Sequence, residues 1–266
     1  MDLQNIFTAI EKTDPEIYQR LDTRRSAMKS FANVGKVLAM SAIPLALGSM
    51  FKKAYGRTPA DVVAVLQFAL LLEHLEAEFY TKATTQYSGL FPTTAALGAF
   101  QTIAAHEVAH VKLLQDTIKA LSSTPADKPT FDFTAGGTLD TFDKYTTLLT
   151  VAQAFEDAGV RAYKGQAGNL QENKTVLTVA LQIHSVEARH AAHIRRMRGL
   201  KGWITGKNND FAGIQSTYDG EEVAVQEGVT ITGINTAVNL AAATESFDEP
   251  LDKDAVTAIV TPFLAS

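Results

Sequence analysis

The sequence predicts an all-α protein built around a four-helix bundle, and three observations support this fold class. Residues 58–201 contain four long segments in which apolar residues recur three or four positions apart. Short stretches rich in Gly, Pro, Ser and Thr separate these segments. The residue pattern of the first two segments returns in the third and fourth. Long helices with one apolar stripe each bury those stripes by packing as a bundle.

Start and stop signals locate the four helices. Thr58-Pro59-Ala60-Asp61 offers an N-cap, a proline at the first helical position and an acid in the first turn. The second helix is expected to begin at Thr93 or Thr94, the third at Asp140 and the fourth at Asn173. The predicted helices therefore span about residues 58–86, 93–121, 140–168 and 173–199.

Two extensions flank the predicted bundle of residues 58–201. Residues 1–57 begin with a helix-like pattern and continue into an apolar stretch at 37–51. Residues 202–266 are richer in Gly, Thr, Asn and Asp, which predicts a loop-rich C-terminal extension that packs on the bundle. Trp203 is expected to lie in the core where this extension meets the bundle.

Residues 23–29, Thr-Arg-Arg-Ser-Ala-Met-Lys, resemble a twin-arginine export signal, although Ala and Met stand at the two apolar positions. The resemblance implies an exported protein of the periplasm or cell envelope, and an uncleaved segment would associate with a membrane surface. The alternative is a cytoplasmic protein in which a pair of N-terminal helices packs on the bundle or mediates homo-oligomer assembly.

Composition excludes several classes of function. The chain has 266 residues, a net charge of −5 and no cysteine. An acidic chain lacks the basic footprint that nucleic-acid binding needs. Without cysteine, the chain cannot form disulfides, bind an iron–sulfur cluster through thiolates or use a thiol nucleophile.

An internal repeat carries the candidate site residues. A glutamate followed seven positions later by tyrosine occurs in the first helix and again in the third, and Glu-x-x-His occurs in the second helix and again in the fourth. The residues are Glu73 and Tyr80, Glu107 and His110, Glu156 and Tyr163, and Glu187 and His190. Spacings of three, four and seven place these residues on the apolar faces of their helices.

A closed bundle would bury four carboxylates together, and burial costs several kcal/mol for each uncompensated ion. Two divalent cations would balance the four charges, while two neutral imidazoles would add nitrogen donors. One Glu from each of two helices and one Glu-x-x-His from each of the others form the ligand set of di-iron and di-manganese carboxylate bundles. The alternative is that the glutamates are solvated and the histidines are ordinary core or surface residues.

Residues 72–80, Leu-Glu-His-Leu-Glu-Ala-Glu-Phe-Tyr, and residues 247–251, Phe-Asp-Glu-Pro-Leu, carry a family resemblance. With the repeat, they resemble the ferritin-like superfamily of the bacterioferritin and rubrerythrin type. They are also similar to the ferritin-like-domain family that includes desiccation-related proteins. The resemblance implies terminal ligands at Glu73 and Glu156, bridging ligands at Glu107 and Glu187, and one metal on each of His110 and His190. Tyr80 and Tyr163 would then hydrogen-bond to ligand carboxylates.

The sequence departs from the family pattern at several positions. An Asp that orients a ligand His often precedes the Glu of Glu-x-x-His, but His106 and Val186 stand there. Val108 replaces the methionine that binds haem in bacterioferritins, so no haem is expected. Glu76 has Gly159 as its counterpart in the repeat, and we therefore expect it at the surface or rim.

The resemblance implies a dinuclear oxidoreductase that acts on O₂ or peroxide by ferroxidase, peroxidase or catalase-like chemistry. Iron is the first expectation and manganese the alternative, because glutamate and histidine accept both metals. The competing hypothesis is a structural or stress-associated assembly protein in which the metals only stabilise the bundle. Iron storage ranks lower, because the two extensions should obstruct a closed shell of subunits.

Overall fold

The computed structural model describes residues 59–207 and 209–265, and four long helices dominate this part of the chain. They are α1 (Pro59–Thr85), α2 (Thr94–Ala120), α3 (Tyr145–Ala167) and α4 (Lys174–Met197). The predicted all-α class is confirmed. The N-terminal extension predicted for residues 1–57, including its twin-arginine-like segment, lies outside the described residues.

Polar side chains cap two of the helices where the sequence predicts it. Thr93 accepts a hydrogen bond from the backbone N–H of Ala96 at 3.1 Å, and Asn173 accepts one from Val176 at 3.1 Å. Helix α3 begins at Tyr145 rather than at Asp140. Residues 140–144 form a turn instead, in which the Asp140 carboxylate accepts from the Thr147 hydroxyl at 2.7 Å.

The bundle consists of two helical hairpins. Helix α1 packs along α2, and α3 packs along α4, and each pair is joined by a short connection. Short connections make the helices of each pair antiparallel. Residues 121–144 cross from one hairpin to the other and meet the end of the chain, where the N–H of Asp132 donates to the carbonyl of Phe263 at 2.8 Å.

Two apolar clusters fill the bundle and leave a polar layer between them. One cluster contains Phe79, Phe100 and Phe155, and Phe79 meets Phe155 edge-to-face with ring centroids 5.2 Å apart. The other cluster contains Leu66 and Leu114. On α2 and α4 the predicted ligands lie between the stretches that supply the two clusters, so the site occupies the middle of the bundle.

The C-terminal segment covers the outer face of α3. It contains the short strands β1 (Val225–Gln226) and β2 (Val229–Thr230) and the short helices α5 (Leu240–Thr244) and α6 (Lys253–Val260). Because this segment packs on it, α3 is buried on every side from Thr147 to Tyr163.

Arg161 of α3 ties the C-terminal segment to the bundle. Its side chain is 1% exposed, lies 2.8 Å from the Glu221 carboxylate and donates to the carbonyl oxygen of Glu249 at 2.7 Å. Trp203 differs from its prediction, because it is half exposed at the rim of a surface pocket beside Arg195 and Tyr218. Among the described helices, none combines the length with the apolar character that a membrane crossing requires.

Candidate metal centre

The four helices bring the six predicted ligand residues into two overlapping groups at the centre of the bundle. In each group, one possible ligand atom from each of four residues lies within 4.8 Å of the others. The groups are Glu73, Glu107, His110 and Glu187, and Glu107, Glu156, Glu187 and His190. All four glutamates are fully buried, and both histidines are nearly so.

Glu107 and Glu187 belong to both groups and divide their oxygens between the two histidines. For Glu107, Oε2 lies 3.0 Å from Nδ1 of His110, and Oε1 lies 2.8 Å from Nδ1 of His190. For Glu187, Oε1 lies 3.1 Å from Nδ1 of His110, and Oε2 lies 3.8 Å from Nδ1 of His190. Each of these carboxylates therefore spans both groups, as a ligand shared by two ions must.

Glu73 and Glu156 each belong to one group. Oε2 of Glu73 lies 3.2 Å from Nδ1 of His110, and Oε2 of Glu156 lies 3.3 Å from Nδ1 of His190. The two glutamates therefore occupy corresponding positions in the two halves of the repeat.

A tyrosine from the opposite half of the repeat holds each of these two carboxylates. The Tyr163 hydroxyl donates to Oε1 of Glu73 at 2.5 Å, and the Tyr80 hydroxyl donates to Oε1 of Glu156 at 2.6 Å. Burial and the neighbouring carboxylates raise the pKa of both phenols well above its ordinary value, so both keep the proton that they donate. Only Oε2 of each glutamate is left to face the histidine.

The unpaired atoms of the centre fit cations. Among the described residues, no aligned hydrogen bond reaches Oε1 of Glu107, Oε2 of Glu156, either carboxylate oxygen of Glu187, or Nδ1 of His190. Buried polar atoms are normally paired, and several that converge without partners require an explanation. Carboxylate oxygens and imidazole nitrogens are the donors that iron and manganese accept. The buried groups can therefore hold metal ions.

Without cations, protons balance part of the buried charge. Burial by itself lowers the pKa of His110 and His190, but their contacts with the glutamates outweigh burial and raise each to about 12. Burial raises the pKa of Glu73 and Glu156. Burial also favours protonation of Glu107, but its contacts with the two imidazoles outweigh burial and lower its pKa to about 2. A metal ion must displace these protons.

Glu76 is buried at the centre, contrary to the surface or rim position expected from the sequence. Its side chain is 2% exposed, and a Cβ added to Gly159 would lie only 3.3 Å from its Oε1. The glycine at the matching position of α3 thus leaves the space that Glu76 fills from α1. Burial and the charges of Glu187 and Glu156 raise its pKa well above the usual value, so it keeps a proton.

Of the remaining histidines, one contacts a predicted ligand. Nδ1 of His106 lies 3.0 Å from Nε2 of His190, on the side of that ring away from the carboxylates. His74 is buried, whereas His193 is exposed. The sequence marks His106 as a departure from the family pattern, but its contact depends on the packing of α2 against α4 and could not be inferred from spacing.

Comparison with known proteins identifies the family. A family model described as a ferritin-like domain matches residues 61–200, which is more than half of the chain. The match covers all four helices of the bundle almost completely and includes every residue of the centre. A comparison with curated proteins finds no match.

Proposed function

The chain belongs to the ferritin-like domain family, and from this premise we propose that it binds two iron or manganese ions and acts as an oxidoreductase on O₂ or peroxide. The observation that carries the proposal is the division of the Glu107 and Glu187 oxygens between the two histidines. Carboxylates that face two sites at once suit a pair of ions that act together on one small molecule.

The donor set would give the two ions equivalent ligands. Glu73 and His110 would hold one ion, Glu156 and His190 the other, and Glu107 and Glu187 both. Two divalent charges would balance the four carboxylates of this set. Bound iron or manganese would supply the electron transfer by which O₂ or peroxide is reduced or peroxide disproportionates.

The surrounding residues position the ligands and hold a proton. Tyr80 and Tyr163 fix the two terminal carboxylates by hydrogen bonds. Glu76 adds a fifth buried carboxyl group, whose raised pKa keeps it protonated. Reduction of O₂ or peroxide to water consumes protons. Glu76 can donate one at the centre, so bulk water need not enter.

The proposal is tested by mixing the protein, loaded anaerobically with Fe²⁺ or Mn²⁺, with O₂ or H₂O₂ and following consumption of the oxidant. We expect several turnovers of H₂O₂, or of O₂ while added Fe²⁺ supplies the electrons, and at least a 10-fold slower rate in Glu107→Ala, because this change removes a ligand from both sites. Asp116→Ala is the matched control, since Asp116 is an exposed acid of the same helix whose carboxylate pairs with Lys112. A Glu107→Ala variant as active as the parent would contradict the ligand assignment.

A structural metal centre is the second candidate, and the complete burial of the four glutamates favours it. Structural sites are closed, whereas catalytic sites keep a position open for substrate. In this case the metal-loaded protein is inert toward O₂ and H₂O₂ but unfolds at higher temperature than the metal-free protein. Free metal at 100 times its Kd would stabilise the fold by about 2.7 kcal/mol.

A further inference from the structure

The two halves of the centre differ in one residue that touches a histidine. The ligand pattern repeats between α2 and α4, but the residue before the glutamate is His106 in α2 and Val186 in α4. Imidazole accepts or donates hydrogen bonds, whereas an isopropyl group does neither. The repeat therefore breaks where an outer partner for a ligand histidine would lie.

His106 supports His190 from outside the centre. Its Nδ1 lies 3.0 Å from Nε2 of His190, and the two rings stack with centroids 5.2 Å apart and an interplanar angle of 14°. His190 is 5% exposed, whereas His106 is exposed at the surface of α2. The pair therefore connects the buried imidazole to the protein surface.

Metal binding would define the direction of this hydrogen bond. Nδ1 of His190 faces the oxygens of Glu107 and Glu156, so this nitrogen is the one available to an ion. A ligating Nδ1 must present its lone pair, which leaves the ring proton on Nε2. That N–H then donates to Nδ1 of His106, and His106 carries its own proton on Nε2.

His110 has no equivalent support among the described residues. Its Nδ1 faces Glu73, Glu107 and Glu187, as Nδ1 of His190 faces its own carboxylates. The position that corresponds to His106 is Val186, whose side chain cannot accept the Nε2 proton of His110. The described hydrogen bonds of His110 all involve Nδ1.

We propose that His106 is a positioning residue that makes the His190 site the tighter of the two, so that metal ions load in order. The Glu156–His190 site fills first and the Glu73–His110 site second. An outer hydrogen bond fixes the ring, sets its tautomer and raises its basicity, and loss of such a partner weakens metal binding about 10- to 100-fold. This inference rests on the proposed two-metal function.

The test is an anaerobic titration of the full chain with Co²⁺, followed by visible absorption. The parent is expected to bind two ions in two phases whose affinities differ about 10- to 100-fold. His106→Val copies the α4 residue into α2, and it should weaken the tighter phase by the same factor so that the phases merge. His106→Asp supplies another acceptor and should restore two phases, which distinguishes positioning from a general structural role.

A variant in the other half of the repeat gives an independent measurement that keeps His106 intact. Val186→Asp should tighten the weaker phase, because it gives His110 an acceptor. Any one of three results would overturn the inference. The parent could show two equal phases, His106→Val could leave the titration unchanged, or Val186→Asp could leave the weaker phase unchanged. Failure of the parent to bind Co²⁺ at all would contradict the two-metal proposal itself and this inference with it.

Discussion

At the level of single residues, Glu107 lies between His110 and His190, and these contacts determine which groups of the metal-free centre carry protons. They raise the pKa of both imidazoles to about 12 although burial opposes this, and they lower the pKa of Glu107 to about 2. Both imidazoles are therefore protonated in the metal-free protein at neutral pH. A metal ion needs the same Nδ1 lone pairs, so the protons must leave.

We predict that loading two metal ions at pH 7 releases at least about two protons per chain, one from each histidine. The sign follows from the raised pKa values: lower pH favours the protonated imidazoles and weakens binding, and higher pH strengthens it. With two protons displaced, the overall binding constant should rise about 100-fold for each pH unit. Calorimetric titration in two buffers of different ionisation enthalpy counts the protons. A metal affinity that does not change between pH 6 and 8 would contradict the raised pKa values of the two imidazoles.

The repeat in the sequence identified the residues that the structure brings together, because helical spacing fixes which side chains share a face. The position of Glu76 escaped the same reasoning. An amphipathic pattern predicts that a glutamate outside the repeat, such as Glu76, lies at the surface. Glu76 is buried instead because Gly159 on another helix leaves space for its side chain. A cavity of this kind depends on how helices pack and leaves no periodic signal in the chain.

At the scale of elements, α3 is unusual because the C-terminal segment covers its outer face. Near the end of the helix, Gly165 lies directly against the backbone of Leu251, and a Cβ added there would come within 1.9 Å of the Leu251 carbonyl oxygen. The N–H of Leu251 also donates to the carbonyl of Arg161 at 3.1 Å. Only glycine permits this approach between the helix and the segment.

We predict that Gly165→Ala destabilises the protein by about 1–3 kcal/mol, because the backbone of Leu251 has to move away. In a domain of this size the loss corresponds to roughly 2–4 °C in Tm for each kcal/mol. Gly168→Ala is the matched control: this glycine is helical, and an added Cβ would meet nothing within 4 Å. Thermal unfolding measures the difference in Tm between the two variants. Equal Tm values would show that Gly165 is not in close contact with the backbone of Leu251.

Helix boundaries could be predicted where a capping side chain acts locally. Thr93 and Asn173 cap helices in the structure as the sequence indicates. Asp140 is equally suited to cap a helix. It lies in a turn that precedes α3, however, and its carboxylate accepts a hydrogen bond from Thr147 inside the helix, so α3 begins five residues later. Propensity alone does not distinguish a cap from such a turn.

At the scale of the whole molecule, the bundle was predictable and the arrangement of the C-terminal segment was not. The bundle follows from four periodic segments, whereas the segment depends on contacts between residues far apart in sequence, such as Arg161 with Glu221. Such contacts have no repeated spacing that a sequence could reveal. Export through residues 23–29 and the boundaries of the two extensions remain predictions.

We propose that one chain holds two metal ions through the six ligand residues. Elemental analysis of metal per chain, after anaerobic loading with Fe²⁺ or Mn²⁺ and removal of free ions, tests this proposal. We predict about two ions in the parent, and about one in each of the single variants His110→Ala and His190→Ala, because each removes a ligand from one site only. No bound metal in the parent, or an undiminished content in both variants, would contradict the assignment of the centre.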